Sequence, residues 1–561
     1  MRKKIAILSA FITLLASCKK DYLNVNDVNA FVTPDQLYTN YNYAQQAVWN
    51  IYGYLPDGFI LAYEAITDNA DATNVTDPSK VFNNGTWNQY NNPDDAWARD
   101  FEGIRQANLY LKNKDKADIT YIRDKIVTSD SSSWYNAQNN VKFMQGEVLF
   151  LKAFFYFDLV KRYGGVPIMN APLDNNNPAS WKNISRNSID DCVHYIVSLC
   201  DSAATIIPSN LGPYSWYDLG RVTYGAVKAL KARTLLYAAS PLFKSAGTTT
   251  TWGDAASALH DVIALNTYTL DATYSNLFGS NNASSKEVIF YRRYGNINSV
   301  ERHNFPIVFQ NTDGNSITPT QNFVDGFEVL VKDGGGNITG SRPFDWTNPA
   351  DAANPYVNRD PRMAATVVYN GSTFSSTVIE TFAGGNSGQP KSNATKTGYY
   401  LSKWVNQSVD LVAGTSTAHT WNYFRYGEIL LDYAEAMYNA YGATADPQGY
   451  GMTALDAINK VRQRVKMPAL TAVQIDQQSI EHERNVELGF EDQRLWDVRR
   501  WNEGTQYFNA PVYRVDIQPN GTSYTYTVNK LENRKFDAKM AWYPIAQDEI
   551  TKTGWKQNPG W

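Results

Sequence analysis

The chain has 561 residues, with 51 Lys and Arg against 55 Asp and Glu, and a formal charge of −4. It lacks the basic excess that a polyanionic partner needs, so a nucleic-acid partner is not expected. Aromatic residues reach 14% and charged residues only 19%, with 15 Trp and 37 Tyr. This composition suits a neutral polar ligand, because Tyr and Trp bury ring area while keeping a polar tip.

The chain opens MRKKIAILSAFITLLASC, in which Arg2, Lys3 and Lys4 precede a short apolar run and small residues. A basic start followed by an apolar stretch too short to span a bilayer predicts a signal peptide over 1–17. Cys18 with Leu15 three residues before it resembles the lipobox of bacterial lipoproteins. That resemblance implies cleavage before Cys18 and acylation of its thiol and new amino group. Loss of the three cations would take the charge from −4 to −7. No later run reaches the roughly 20 apolar residues of a spanning helix, so the expected attachment is a lipid anchor. Residues 18–33 are polar and aperiodic and read as a tether.

Helical patterns follow at 34–54, 97–112, 137–163, 188–207, 224–239 and 255–265, each bounded by Gly, Pro, Asn or Asp. The core of the third, EVLFLKAFFYFDLV, is apolar on nearly every face, as in a helix packed from several sides. Gly164-Gly165 ends it and Pro167 prevents resumption, while Asp158 and Arg162, four apart, pair along one face. Cys192 and Cys200 sit eight residues apart on one helix, a rise of about 12 Å. That exceeds the roughly 7 Å limit for a disulfide, so both are expected as free core thiols. From about 266 to 420 turn-rich stretches surround short β-prone pieces, EVIFYRRY and AATVVY among them. Helices return at 423–441, 451–464 and 475–500. Helix pairs without a strong repeated motif predict a mainly α, tetratricopeptide-like helix-pair superhelix. The expected organisation is a single α-rich domain over 34–561 with an irregular insertion at about 266–420.

Binding rather than catalysis is the expected chemistry. The five histidines show no metal spacing, and EHERNVE lacks the second His of a zinc-protease helix. No nucleophile elbow or phosphate loop is present, and DNADATN has Ala70 and Ala72 where calcium ligands belong. Neither cofactor nor metal is expected. Two flanking carboxylates would serve glycoside hydrolysis, but 55 acidic residues always supply a pair.

A sugar needs an aromatic platform for its C–H face and amide or carboxylate groups for its hydroxyls. The polar stretch between the first two long helices offers Trp87 and Tyr90 as platforms, with Asp68, Asn69 and Asp71 nearby. The irregular middle adds Tyr291, Arg292 and Tyr294, then Phe344 and Trp346, while Arg359 and Arg362 are expected to cap local structure. Tyr399, Tyr400 and Trp404 rank behind these as candidates, because their alternation reads as a strand with one buried side.

Four stretches carry a resemblance to a known family: the lipobox with CKKDYLNV; QGEVLFLKAFFYFDLVKRYGGVPI (145–168); ALDAINKVRQRVKMP (454–468) with ERNVELGFEDQRLWDVRRW (483–501); and YPIAQDEI with the KQNPGW ending. Together they resemble the SusD/RagB family of outer-membrane nutrient-uptake lipoproteins. The resemblance implies four helix-turn-helix pairs under a loop-rich binding face that commonly uses the first inter-helix region. It also implies an oligosaccharide or polysaccharide ligand and a SusC-like TonB-dependent β-barrel transporter as partner, at the outer membrane and facing the exterior. A peptide-binding relative on the same scaffold, and then a surface glycoside hydrolase, are the alternatives. Glu147, Asp158, Arg162, Glu487, Glu491, Arg494, Asp497, Arg499 and Arg500 are expected to pair with one another and clamp helix ends.

Overall fold

The computed structural model describes residues 34–59, 63–124, 132–173, 177, 180, 183–280 and 282–561. The signal segment, Cys18 and the tether lie outside the described residues. Eight helices form the scaffold: α1 Tyr41–Tyr52, α2 Trp97–Asn113, α3 Ser132–Tyr163, α4 Ile189–Ala204, α5 Tyr224–Ala239, α6 Trp252–Ile263, α7 Tyr426–Tyr441 and α8 Ala454–Arg464. Each packs on the next, α1 on α2 and so on to α8, so the four helix pairs stack in chain order. Such stacking buries a continuous core that no pair could bury alone.

Helix α3 runs through the middle of this stack. Leu151, Phe155, Tyr156 and Leu159 are fully buried, each contributing on the order of 1.5–3 kcal/mol. Gly103 of α2 leaves room for Phe155, whose ring lies 2.6 Å from where a Cβ would sit. Gly164 ends the helix with φ +73°, a conformation glycine adopts without strain. Helices α4, α6 and α8 start from capping boxes, Ser188–Asp191, Thr251–Asp254 and Thr453–Asp456. Cys192 and Cys200 are free and buried; burial pushes the Cys192 thiol up to about 11.

The helices after the insertion depart from the periodic pattern in two places. Residues predicted to open the 423–441 helix belong to a strand that runs to Arg425. The predicted helix over 475–500 is two helices, α9 Gln477–Leu488 and α10 Arg494–Arg500, separated by a turn at 489–493. At the other end, Asn40 interrupts the predicted 34–54 helix, because its side chain turns back to accept the Asn42 and Tyr43 N–H groups and cap α1.

Strands occur only in two-stranded sheets among the described residues. The ones that matter for the site are β1 Ala70–Ala72, β2 Val288–Ile297, β3 Ile317–Pro319 and β4 Thr417–Arg425. β1 pairs antiparallel with β3, and β2 with β4. A hairpin of β5 Val512–Asn520 and β6 Ser523–Glu532 near the C-terminus was absent from the predicted elements.

The charged residues of the C-terminal block pair inside the protein. Glu487 receives Arg362, Arg425 and Arg464; Glu491 receives Arg425 and Lys403; Asp497 receives Arg484 and Arg500. Burial opposes ionisation of Glu487, but Arg464, Arg425 and Arg362 outweigh it and hold the carboxyl well below its ordinary range. In the N-terminal half Glu147 pairs with Arg221, and Asp158 with Arg99, Lys161 and Arg162. Arg494 pairs with Asp68, Arg499 donates to the Met540 and Ala541 carbonyls, and Arg500 pairs with Glu435. Removing one partner of such a buried pair strands the other.

Candidate ligand-binding site

Between α1 and α2 the chain makes a long excursion that the irregular middle region captures. β1 lies against β3 with Ala70 opposite Pro319. The Thr73 N–H donates to the Ser316 carbonyl at 2.9 Å, and Asn74 Nδ2 to Asn315 Oδ1 at 2.9 Å. These bonds join segments some 240 residues apart into one wall. The facing wall is aromatic: Trp404 and Trp421 stack at 4.6 Å and 27°, and Phe59 meets both edge-on at 5.6 and 5.2 Å. Gly58 permits this approach, since a Cβ there would lie 2.0 Å from the Trp421 ring.

The walls enclose a pocket of about 370 Å³. Phe59, Trp404, Trp421, Phe490, Val300 and Ile317 supply its apolar surface. Asn74, Thr76, Asp77, His303, Asn304 and Asn315 supply polar groups, and Glu64 and Asp492 add two carboxyls. Trp404, Phe490 and Asp492 all have positive φ, +73°, +64° and +60°. Non-glycine residues in that region are strained and gather at functional sites. Here the strain is held by side chains behind the pocket. Trp404 Nε1 donates to the Phe490 carbonyl at 2.7 Å, and Lys403 Nζ to the Gly489 carbonyl and the Glu491 carboxylate, each at 2.7 Å. Glu64 is 4% exposed, and burial raises its carboxyl to about 7 against the bond it accepts from Asn69. Burial, and then the neighbouring Glu64, push Asp492 well above its ordinary value.

A larger groove, about 570 Å³, runs beside α2 under Trp97, Phe101, Met169, Leu173 and Trp555. Its wall is mostly apolar, and the polar groups on it, Glu102, Arg105, Asn108, Glu549, Lys552 and Thr553, are for the most part charged side chains of both signs in place of a cluster of amides and hydroxyls. Among the described residues no group of three His, Cys, Asp or Glu side chains is placed to hold a metal ion.

The residues expected to hold the ligand are distributed differently from the expectation. Trp87 is only 2% exposed and is enclosed by Phe82, Tyr543 and Trp561, with ring centroids at 4.8–5.0 Å. It has no free face, and the expectation of a platform there is corrected. Tyr90 is 76% exposed beside a separate hollow of about 340 Å³ with Asn91, Asn92, Asp95 and Gln547. Asp68 faces inward to a two-bond pair with Arg494 at 2.8 and 2.9 Å. Asn69 donates to Glu64 and to Asn485, and Asp71 is buried against Lys80 and Arg534. These three support the pocket wall and do not line the pocket. Tyr294 packs edge-on against Phe59 at 5.1 Å and donates to Asp57 at 2.8 Å, one layer behind the pocket. Trp346 donates to Asp325 and packs on Phe344, apart from it. Trp404, ranked behind the other candidates because its segment reads as a strand, is a wall of the pocket.

A family model described as the SusD family matches residues 286–561, and one described as starch-binding associating with outer membrane matches residues 41–236. A search of curated proteins found no match. Among solved structures, a SusD-like protein from Bacteroides fragilis is 24% identical, covers 96% of this chain and 99% of its own, and superposes with a TM-score of 0.74. A SusD-like carbohydrate binding protein from the same species is 23% identical over 92% and 99%, with a TM-score of 0.73. Surface glycan-binding protein A from Bacteroides uniformis is 19% identical over 92% and 99%, with a TM-score of 0.61. At these identities the structural likenesses establish the fold. The two sequence models together span most of the stacked helix-pair scaffold and all the segments of the loop-built pocket, and the chain belongs to the SusD family of outer-membrane-associated carbohydrate-binding proteins.

Proposed function

We propose that this chain captures an oligosaccharide or polysaccharide in the pocket between Phe59, Trp404 and Trp421 and passes it to a SusC-like TonB-dependent transporter. The observation that carries the reading is the combination of an aromatic wall with converging amide, hydroxyl and carboxyl groups, the chemistry a pyranose ring requires. The 370 Å³ volume has room for one or two sugar units of a longer chain. In this reading Cys18 carries the lipid, residues 18–33 are the tether, and residues 34–561 work as one unit at the cell surface. Among the described residues no helix is long and apolar enough to cross a membrane, which agrees with attachment through lipid.

Phe59→Ala removes the ring that meets both tryptophans, and Asn315→Ala a polar group on the opposite wall. Isothermal titration with the soluble oligosaccharide that wild type binds should show each variant at least 10-fold weaker, with helical circular dichroism unchanged. Wild-type affinity in both variants would place the ligand elsewhere. Recovery of a large β-barrel protein with the lipoprotein from gently solubilised outer membranes tests the transporter step.

A further inference from the structure

The charged groups facing the pocket carry almost one sign. Glu64, Asp77 and Asp492 line it, no Lys or Arg among the described residues does, and His303 is paired with Asp313. The cations nearby are committed behind the walls: Lys403 to Glu491, Arg494 to Asp68, Lys161, the cation that bears most on Asp492, to Asp158, and Arg162 to Asp94 and Asp158. Glu64 lines the pocket, where Oε1 accepts the Asn69 amide and the Phe490 backbone N–H also bears on the carboxyl, while the buried Oε2 makes no hydrogen bond of full geometry. Asp492 is half-buried, and among the described residues no hydrogen bond or ion pair holds its carboxyl. A buried polar atom left unpaired is costly, and when it points into a pocket a ligand group is the natural partner.

We propose that the pocket selects sugar units without negative charge, with Glu64 Oε2 and the Asp492 carboxyl bonding their hydroxyls, and rejects uronate and sulfated glycans. The proposal rests on the glycan-binding reading and adds the ligand's charge class. A neutral hydroxyl satisfies either carboxyl in either protonation state, because a carboxylate accepts and a carboxylic acid also donates. The raised carboxyl of Glu64, about 7, keeps both states available near neutrality. A ligand carboxylate or sulfate finds no Lys or Arg in the pocket lining to pair with, and beside Glu64, Asp77 and Asp492 it either meets like charge or must force a carboxyl to take up a proton.

The test uses the full-length protein in detergent against length-matched probes by titration calorimetry. The neutral set is maltohexaose, laminarihexaose, cellohexaose, xylohexaose and mannohexaose. The acidic set is hexagalacturonate, hexameric alginate and a chondroitin sulfate hexasaccharide. At least one neutral probe should bind, and every acidic probe should bind more than roughly 100-fold more weakly, a difference within reach of close like charges. Glu64→Gln with Asp492→Asn should shrink that gap at least 10-fold, and Glu64→Gln alone, which keeps the Asn69 contact, should shrink it in the same direction. An acidic probe binding as tightly as the best neutral one overturns the charge selection and leaves the glycan reading standing. Failure of every probe to bind overturns both.

Discussion

Trp87 and Phe59 belong to the same stretch between α1 and α2, yet one is sealed in the core and the other forms a wall of the pocket. Composition identifies both as aromatics in a polar segment and cannot tell which face each presents. What decides is contact with residues far away in sequence: Trp561 and Tyr543 close over Trp87, while Phe59, met by Trp404, Trp421, Tyr294 and His419, still keeps surface on the pocket. Trp87→Ala should therefore cost about 3–5 kcal/mol of stability, the range for deleting a buried large aromatic. Glycan affinity should stay within about two-fold of wild type. Thermal melts and titration of the same sample check both halves, and loss of binding with an unchanged melting temperature would return Trp87 to the site. The acidic residues Asp68 and Asp71 illustrate the same point: their position near the pocket was legible, but Arg494 and Arg534 turn them inward.

Helices α1 to α8 were legible because their periodicity is local, and the start of most was marked by a cap such as Ser188, Thr251 or Thr453. The β5–β6 hairpin also had a local signal, alternating residues around Asn520-Gly521, which favour a tight turn. The break between α9 and α10 had only Gly489 to mark it. Helical periodicity runs on through 490–493, and tertiary bonds from Lys403 and Trp404 override it. That override places Phe490 and Asp492 on the pocket in strained conformations. Asp492→Gly removes the Cβ that makes φ +60° unfavourable, together with a carboxyl that burial disfavours in its charged form. It should raise stability by about 0.5–1 kcal/mol, net of the extra freedom glycine has when unfolded. The same variant should bind glycan at least 5-fold more weakly. A denaturant midpoint that falls, or an affinity that does not, would show that this turn stores no strain for the site.

At the scale of the whole molecule, the stack of helix pairs follows from repeating local pattern, whereas the pocket has no pattern of its own. Its walls come from residues 58–78, 299–317, 401–421 and 490–492, and only the folded chain brings them together. The same assembly buries carboxyls of two opposite kinds, and their balance sets how stability follows pH. Asp158, Glu487, Glu491 and Asp497 are buried, but arginine or lysine partners hold them below their ordinary values. Their contribution is complete above the unfolded range near 4 and is lost as pH falls below it. Glu64, Glu428 and Glu481, raised to about 7, and Asp325, raised to about 6, behave in the reverse sense, as do Asp100 and Asp492, which burial also raises. Between about pH 4.5 and 7 the folded chain keeps protons that the unfolded chain has released, so stability declines as pH rises. For Glu64 alone the shift from 4.5 to about 7 corresponds to roughly 3 kcal/mol. Melting temperature should therefore peak near pH 5 and fall on both sides. Glu64→Gln should flatten the decline toward pH 8 while leaving the acid limb in place, since Gln keeps the Asn69 contact and has no proton to lose. Melts from pH 3 to 8.5 on both proteins check this. A decline from pH 5 to 8 that is the same in wild type and Glu64→Gln would mean that Glu64 is solvated, and its end of the pocket with it.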